Sequence, residues 1–504
     1  MASIYGGAFG SGTTPENSLN TALMQYPEIA KTLIKQYPRY SATYLLDRTG
    51  RYATEKVLGD NSFEWKVLGR YNAPTYMLGF SSLTANAGTA FTTGVVSVTT
   101  DGTEFFVIAD NTTSGYTGNF LNKFDMVRFQ SGATALVLDD PYLNNSTSAA
   151  ATDYIIRMQL IDNGGTDLTA ADIASGAIVA SIGSAFPYGS DGADVGENYV
   201  LPSTHKNYLT TMRKKCSVTG KDATDVTWIE NNGHRLWYFT REQMLMDEFM
   251  YQQELQRWYG KRTVSNSPSS YATANTSNAV GTSGTAAANI ITGDGLLAQI
   301  DSSNQATYSA GALTEDILTE FLGKLSLNAT ASEGNEWVVF TGTEGRIAFH
   351  KAMKDLIVAP SGAMTGGSMK GTSGDVSLGA NFVSYSALGN KLTVAYCPVF
   401  DDANLHSGSS GTNPFGDNRL KESSKMVFLD FGKTNGISNI DLITKGAEGM
   451  NRSFVKKYVA GMINPYDKNS MMAANADDKF ECHIMSESGI VVRNPLSCGI
   501  LSVA

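Results

Sequence analysis

The chain has 504 residues, with 48 acidic and 38 basic side chains and a formal net charge of −10. Charged residues make up 17% of it and glycine contributes 50 positions, against averages of about 25% and about 7% in soluble proteins. A hydrophobic share of 42% excludes a disordered chain, and net acidity without a basic stripe excludes a dedicated nucleic-acid binder. No apolar run reaches the roughly 18 residues that span a bilayer. The first residues, Met1 to Gly7, carry neither a basic cluster nor an apolar stretch, so no secretory signal is expected. The cysteines Cys216, Cys397, Cys482 and Cys498 are far apart and form no Cys-x-x-Cys pair, the pattern of free thiols in a reducing compartment.

In chain order, Thr14-Pro15-Glu16 opens a helical stretch to Lys35 that Pro27 divides in two. It reads as an arm that lies on something else. Phe63 to Gly69 alternates as a strand does. From Ser81 to about Val200 Ser, Thr, Ala, Gly and Asn dominate, with apolar runs at Phe105–Ile108 and Ala135–Leu138 and a turn signal at Asp101-Gly102. This predicts an inserted, mostly β subdomain. Asn232-Gly233 predicts a hairpin turn. Thr240 to Tyr259 is the strongest helix: Thr240 and Gln243 make a capping box, and Gly260 is placed for a left-handed C-terminal cap. Residues 264–289 read as a loop. Thr314 caps a second helix carrying Ile317, Leu318, Phe321, Leu322 and Leu325. Glu336–Thr341 follows as a strand, and a third helix runs through Phe349, Met353 and Leu356. Glycine-rich loops at 361–375 and 407–416 separate strand-like runs at Lys391–Phe400, Met426–Phe431, Phe454–Met462 and Lys479–Met485. The last is expected to turn at Ser486–Gly489 and pair with Gly489–Arg493.

Catalytic signatures are missing. Gly220-Lys221 and Gly323-Lys324 lack the hydroxyl residue and spacing of a phosphate-binding loop, and the glycines at 7–12 follow no strand. The five histidines, His205, His234, His350, His406 and His483, offer no paired ligands on a helix face. Cys482 and His483 are adjacent, so on a strand they face opposite ways and cannot grip one ion together. Asp139-Asp140 and Asp401-Asp402 suit turns better than a divalent cation. Arg213-Lys214-Lys215, Lys456-Lys457 and Asp477-Asp478-Lys479 read as solvated faces, with an ion pair between subunits as the alternative for the first. No catalytic, cofactor-binding or metal residue is expected, nor any cofactor. A long, folded, weakly charged chain of this kind points to assembly, since interface centres are depleted in charge.

The order of elements is specific: a loose arm; an extended pair opened by Phe63-Glu64-Trp65-Lys66; the long helix ending Tyr259-Gly260-Lys261; Gly293-Asp294-Gly295-Leu296-Leu297; then helix, strand, helix around Trp337 to Lys351. It resembles the major capsid proteins of tailed bacteriophages with the Hong Kong 97-type fold, and in wording those of the crAss-like phages. The resemblance implies an α+β fold: residues 1–56 as N-terminal arm, 57–80 and 201–239 as the arms of the E-loop, 81–200 as an inserted β-rich subdomain, 240–311 as P-domain with spine helix 240–260, 312–470 as A-domain, and 471–504 as strands returning to the P-domain. It implies a major capsid protein that forms hexamers and pentamers of an icosahedral head around double-stranded DNA. Scaffolding, portal and auxiliary or head-fibre proteins would be its partners, without sequence-specific nucleic-acid binding or a membrane. The protein would be made in the bacterial cytoplasm and end in the virion. The arm is too short for a built-in scaffold, so a separate scaffold and little or no N-terminal cleavage are expected. Lysines such as Lys66 exist, but no Lys–Asn crosslink is expected. The alternatives are a tail tube or sheath subunit, a surface-layer protein, and a carbohydrate-active enzyme with unpaired carboxylates.

Overall fold

A computed structural model describes residues 54–57, 62–68, 75–82, 101–109, 120–143, 154–161, 168–174, 176–189, 196, 202–223, 226–231, 234–262, 291–309, 312–329, 335–354, 384–403, 405–412, 416, 418–434, 437–447, 450–464 and 473–504. The chain divides into two compact units, Lys66–Thr204 and the remainder, Met1–Trp65 with His205–Ala504. The mixture of helices and sheets makes it α+β.

The inserted unit is a closed ring of strands. Glu104–Ala109, Thr75–Ser82, Ile178–Ser184, Asp125–Arg128, Thr134–Val137 and Tyr154–Leu160 pair in that order, and the last pairs back to the first. Alternation decides what goes inside. Phe105, Val107, Val127, Ala135, Val137, Ile156, Met158 and Val179 fill the interior with almost no exposure, as side chains do in a small barrel. Asp101-Gly102 is a turn, with Gly102 at φ +79° and its N–H donated to Leu160 O at 2.8 Å. The unit is wider than the 81–200 read from composition, because Thr75–Ser82 supplies one of the staves.

The other unit holds two open sheets. In the first, Lys479–Val492 is the central strand. Thr210–Thr219 pairs along one edge through ten register positions, while Val455–Ala460 and Ile440–Ala447 share the other edge. Thr54–Val57 lies parallel to Ile440–Ala447. In the second, the order is Gln305–Tyr308, Gly499–Val503, Met426–Asp430, Glu336–Thr341, Asn390–Tyr396 and Ser384–Ala387. Both faces of this sheet are covered. Trp337, Val339, Met426 and Phe428 meet the helices Glu315–Ser326 and Thr343–Lys354 through Leu318, Phe321, Leu322, Phe349 and Met353. Phe340, Val427 and Leu429 turn the opposite way, to Trp258 and Phe400. Thr314 caps the first of these helices by accepting the Ile317 N–H, as its sequence predicts. Asp401 caps the second from outside, accepting the Thr343 N–H at 3.0 Å and its hydroxyl at 2.6 Å.

The long helix, Trp237–Tyr259, ties the sheets together. Leu245 and Phe249 pack on Cys216, Cys482 and Ile484 of the first sheet. Trp258, fully buried, sits edge-on to Phe340 and Phe400 at 5.6 and 5.1 Å.

Several expectations are corrected. The helix begins three residues before Thr240, because the strand His234–Leu236, paired with Val226–Asn231, leads into it without a break. Gly260 is not left-handed; a Cβ there would stand 2.5 Å from Gln256 O and 2.9 Å from Gly293 O, so it is a packing glycine. Ser486–Gly489 is no turn: Lys479–Val492 is one strand of 14 residues. Gly489 makes room where the chain crosses it, a Cβ falling 3.0 Å from Tyr208 O and 3.3 Å from Phe63. The run at Lys391–Phe400 leaves its strand at Tyr396 and tightens into a short helix at Pro398–Asp401, and part of 407–416 pairs as Ser409–Thr412 with Asn418–Leu420. The helices read between Thr14 and Lys35, the loops 264–289 and 361–375, and Leu356 lie outside the described residues.

Candidate functional site: a cationic sheet face

The first sheet has two unlike faces. Even-numbered residues of its central strand, Phe480, Cys482, Ile484, Ile490 and Val492, are buried towards the long helix and the core. Odd-numbered residues point away. At one end the paired strands Ser62–Val67 and Ser203–Tyr208 cover them. Phe63 and Leu209 pack on Ile443 and Val491, Trp65 stacks between Phe63 and His205, and its indole N–H donates to Arg493 O at 3.2 Å. Lys206 and Glu64 pair at 2.8 Å.

None of the described residues covers the other end, and there the register gathers charge. Lys215, His483 and Lys457 form one transverse row, and Arg213, Met485 and Val455 form the next. Arg213, Lys215 and Lys457 are exposed and make no ion pair among the described residues. A cleft of about 410 Å³ runs between them, with Val455 and Met485 in its lining. Neighbouring carboxylates are already engaged. Glu481 holds His483 at 3.0 Å and Lys479 at 3.2 Å, and those bonds, with the nearby Lys215 charge, keep its pKa below the usual carboxylate range. Glu487, almost fully buried, takes Arg452 at 2.5 Å and Lys445 at 3.6 Å. The basic runs are split by the pleat: Lys214 and Lys456 go to the opposite face, onto Glu248 and Glu242 of the long helix.

The remaining chemistry-bearing residues have structural jobs. Cys216 and Cys482 stand directly opposite in the ladder, both buried. The hydrogen bond between them lowers the Cys216 thiol and raises that of Cys482. Burial, aided by the nearby Asp430 charge, pushes Cys498 up to about 12. Asp402 accepts from the Tyr251 hydroxyl, Asp139 pairs with Arg157 at 2.7 Å, and His406 meets the Tyr259 hydroxyl at 3.2 Å. Among the described residues no group of three or more His, Cys, Asp or Glu is placed to hold a metal ion. The sequence flagged both basic runs and His483 separately; only the register brings Lys215, His483 and Lys457 together.

A family profile described as Crassvirus major capsid protein matches residues 3–504. No curated protein matches the chain. Among solved structures, the capsid of an empty GTA particle is similar at 9% identity, covering 99% of this chain and 100% of that one, with a TM-score of 0.37. The capsid of the cyanophage P-SCSP1u is similar at 11% identity over 64% of this chain and 80% of that one, TM-score 0.32. The SrpI encapsulin of Synechococcus elongatus PCC 7942 is similar at 11% over 60% and 77%, TM-score 0.32.

Proposed function

The chain belongs to the crassvirus major capsid protein family, and from that premise we propose how its parts divide the work of assembly. As a major capsid protein it is the structural subunit of an icosahedral virion shell. Its copies gather as hexamers and pentamers, and the shell encloses double-stranded DNA by containment rather than by sequence recognition. Its work is association, not turnover. A separate scaffold, a portal and auxiliary or head-fibre proteins complete the head, and the chain is made in the cytoplasm of the host.

Within the Hong Kong 97-type plan, residues 1–56 are the arm laid on a neighbour, rooted where Thr54–Val57 pairs with Ile440–Ala447 of its own sheet. Residues 57–80 and 201–239 are the E-loop, whose roots are the paired strands at Ser62–Val67 and Ser203–Tyr208 and whose end at Thr75–Ser82 passes into the inserted barrel. Residues 240–311, with the long helix, and the strands of 471–504 are the P-domain, and 312–470 the A-domain. The inserted barrel is a decoration or clamp. The observation that carries the functional reading is the family match along 3–504. Both sheets cross the boundary at 470, since Ile440–Ala447 and Val455–Ala460 pair with Lys479–Val492 and Met426–Asp430 pairs with Gly499–Val503, so the two domains share their sheets.

The test is to co-express the chain with its scaffold, purify the largest species by size and light scattering, and image it. Closed icosahedral shells made mainly of this chain are expected. Tubes or stacked rings would overturn the reading in favour of a tail protein, and a small oligomer that stays small with the scaffold present would overturn it altogether.

A further inference from the structure

The two units carry very different charge. Residues 66–204 hold 13 Asp or Glu against 5 Lys or Arg, a formal −8 out of the chain's −10. In the barrel Glu104 and Asp139 share the cation Arg157 at 2.6 and 2.7 Å. Asp140 is exposed and has no ion-pair partner among the described residues. The cationic sheet face has the converse deficit. Lys215 and Lys457 flank His483 on the two neighbouring strands, two strand spacings or about 10 Å apart, and Arg213 lies one pleat repeat, about 7 Å, along from Lys215.

We propose that this face is a contact between copies of the chain, and that its occupant is the acidic inserted unit of a neighbouring copy, seated with carboxylates against Arg213, Lys215 and Lys457. This rests on the capsid reading and names the surfaces that meet within it. Charge complementarity selects the partner and its register. It is also the arrangement that lets a net-acidic subunit crowd against itself: the most negative part of each copy meets an uncompensated positive patch. The apolar side chains in the cleft, Val455 and Met485, favour a protein segment over a nucleic-acid backbone, which offers phosphates and sugars but no apolar side chain to cover them. The contact is built from exposed charges, so it speeds and orients docking and weakens as salt rises.

The test uses assembled wild-type shells and a zero-length carbodiimide, which joins an amine to a carboxylate only where the two touch. Peptide mapping of dimer-sized bands is expected to find Lys215 or Lys457 joined to a carboxylate within 66–204. Joining to a carboxylate elsewhere, or reaction of other lysines while these two stay free, overturns the proposal. Charge reversal gives the second arm. Lys215→Glu with Lys457→Glu should lower shell yield by about tenfold or more while the soluble subunit keeps its melting temperature. Unchanged yield overturns the proposal even though wild-type shells uphold the capsid reading. Normal shell yield with reduced DNA content also overturns it, and assigns the face to packaged DNA.

Discussion

The inserted barrel and the two-sheet unit solve the same problem in opposite ways. The barrel closes: six strands pair in a ring, and one apolar cluster from Phe105 to Val179 fills it. The two-sheet unit stays open. Its second sheet is covered by helices on one face and by Trp258 and Phe400 on the other, but among the described residues half of one face of its first sheet is uncovered. A closed ring satisfies its own backbone and core and can be inserted anywhere. An open sheet leaves surface that something else must meet. The two-sheet unit thus offers an unfilled face, whereas the barrel, its core complete, has only its charged exterior to offer a neighbour.

That contrast can be broken by core substitutions. Trp258→Ala should cost about 3–5 kcal/mol, lowering a thermal transition of the two-sheet unit and leaving the barrel's transition in place. Phe105→Ala, in the fully buried barrel core, should cost a similar amount but open only residues 66–204 to limited proteolysis. If either change moves both transitions together, the two units are not independent. The polar supports sharpen the comparison at smaller scale. Glu487→Gln removes the carboxylate that Arg452 and Lys445 share, and should cost about 1.5–3 kcal/mol in urea unfolding. Asp401→Ala strips the outside cap from Thr343–Lys354 and should cost about 1–2 kcal/mol by the same assay. The smallest effect is in pH. The Glu481 pKa is depressed in the fold, first by its bond to His483. Its stabilisation is therefore present above the ordinary carboxylate range of about 4.3 and is lost as pH falls through the lower, folded value. The melting-temperature gap between wild type and Glu481→Gln should be flat above about pH 5 and close on acidification.

Local chemistry was legible where it acts locally. Thr314 stands before an apolar face of period near 3.6 and caps as its position suggests. The strands on either side of Asn232-Gly233 pair with each other, the two residues themselves lying outside the described ones. The apolar runs at Phe105–Ile108 and within Glu336–Thr341 became strands. Misreadings arose where distant chain decides. Ser486–Gly489 carries turn residues, yet Gly489 is small because Tyr208, more than 280 positions earlier, passes over it. Thr240 has the residues of a cap, but the strand before it extends into the helix and leaves no end to cap. The cationic face was invisible for the same reason. Arg213-Lys214-Lys215 alternates between faces, and its companions Lys457 and His483 arrive only through pairing with a strand near the C-terminus. Aromatic anchors fared likewise: Trp258 reads as one side of an amphipathic helix, and its partners Phe340 and Phe400 are known only from the packing.

The 14-residue strand Lys479–Val492 has a mechanical consequence. It is bonded along both edges, by Thr210–Thr219 on one side and by Val455–Ala460 and Ile440–Ala447 on the other. A pull along its axis loads all those rungs in shear at once, whereas peeling would load them one after another. A container under outward pressure stretches its wall, and this strand gives each subunit a stiff direction in which to take tension. Pulling a single subunit between Lys479 and Thr210, at opposite ends of two paired strands, should therefore need more force than pulling between Lys479 and Thr219 at the same end, where the rungs open one by one; equal forces would show that the strand has no such directional strength.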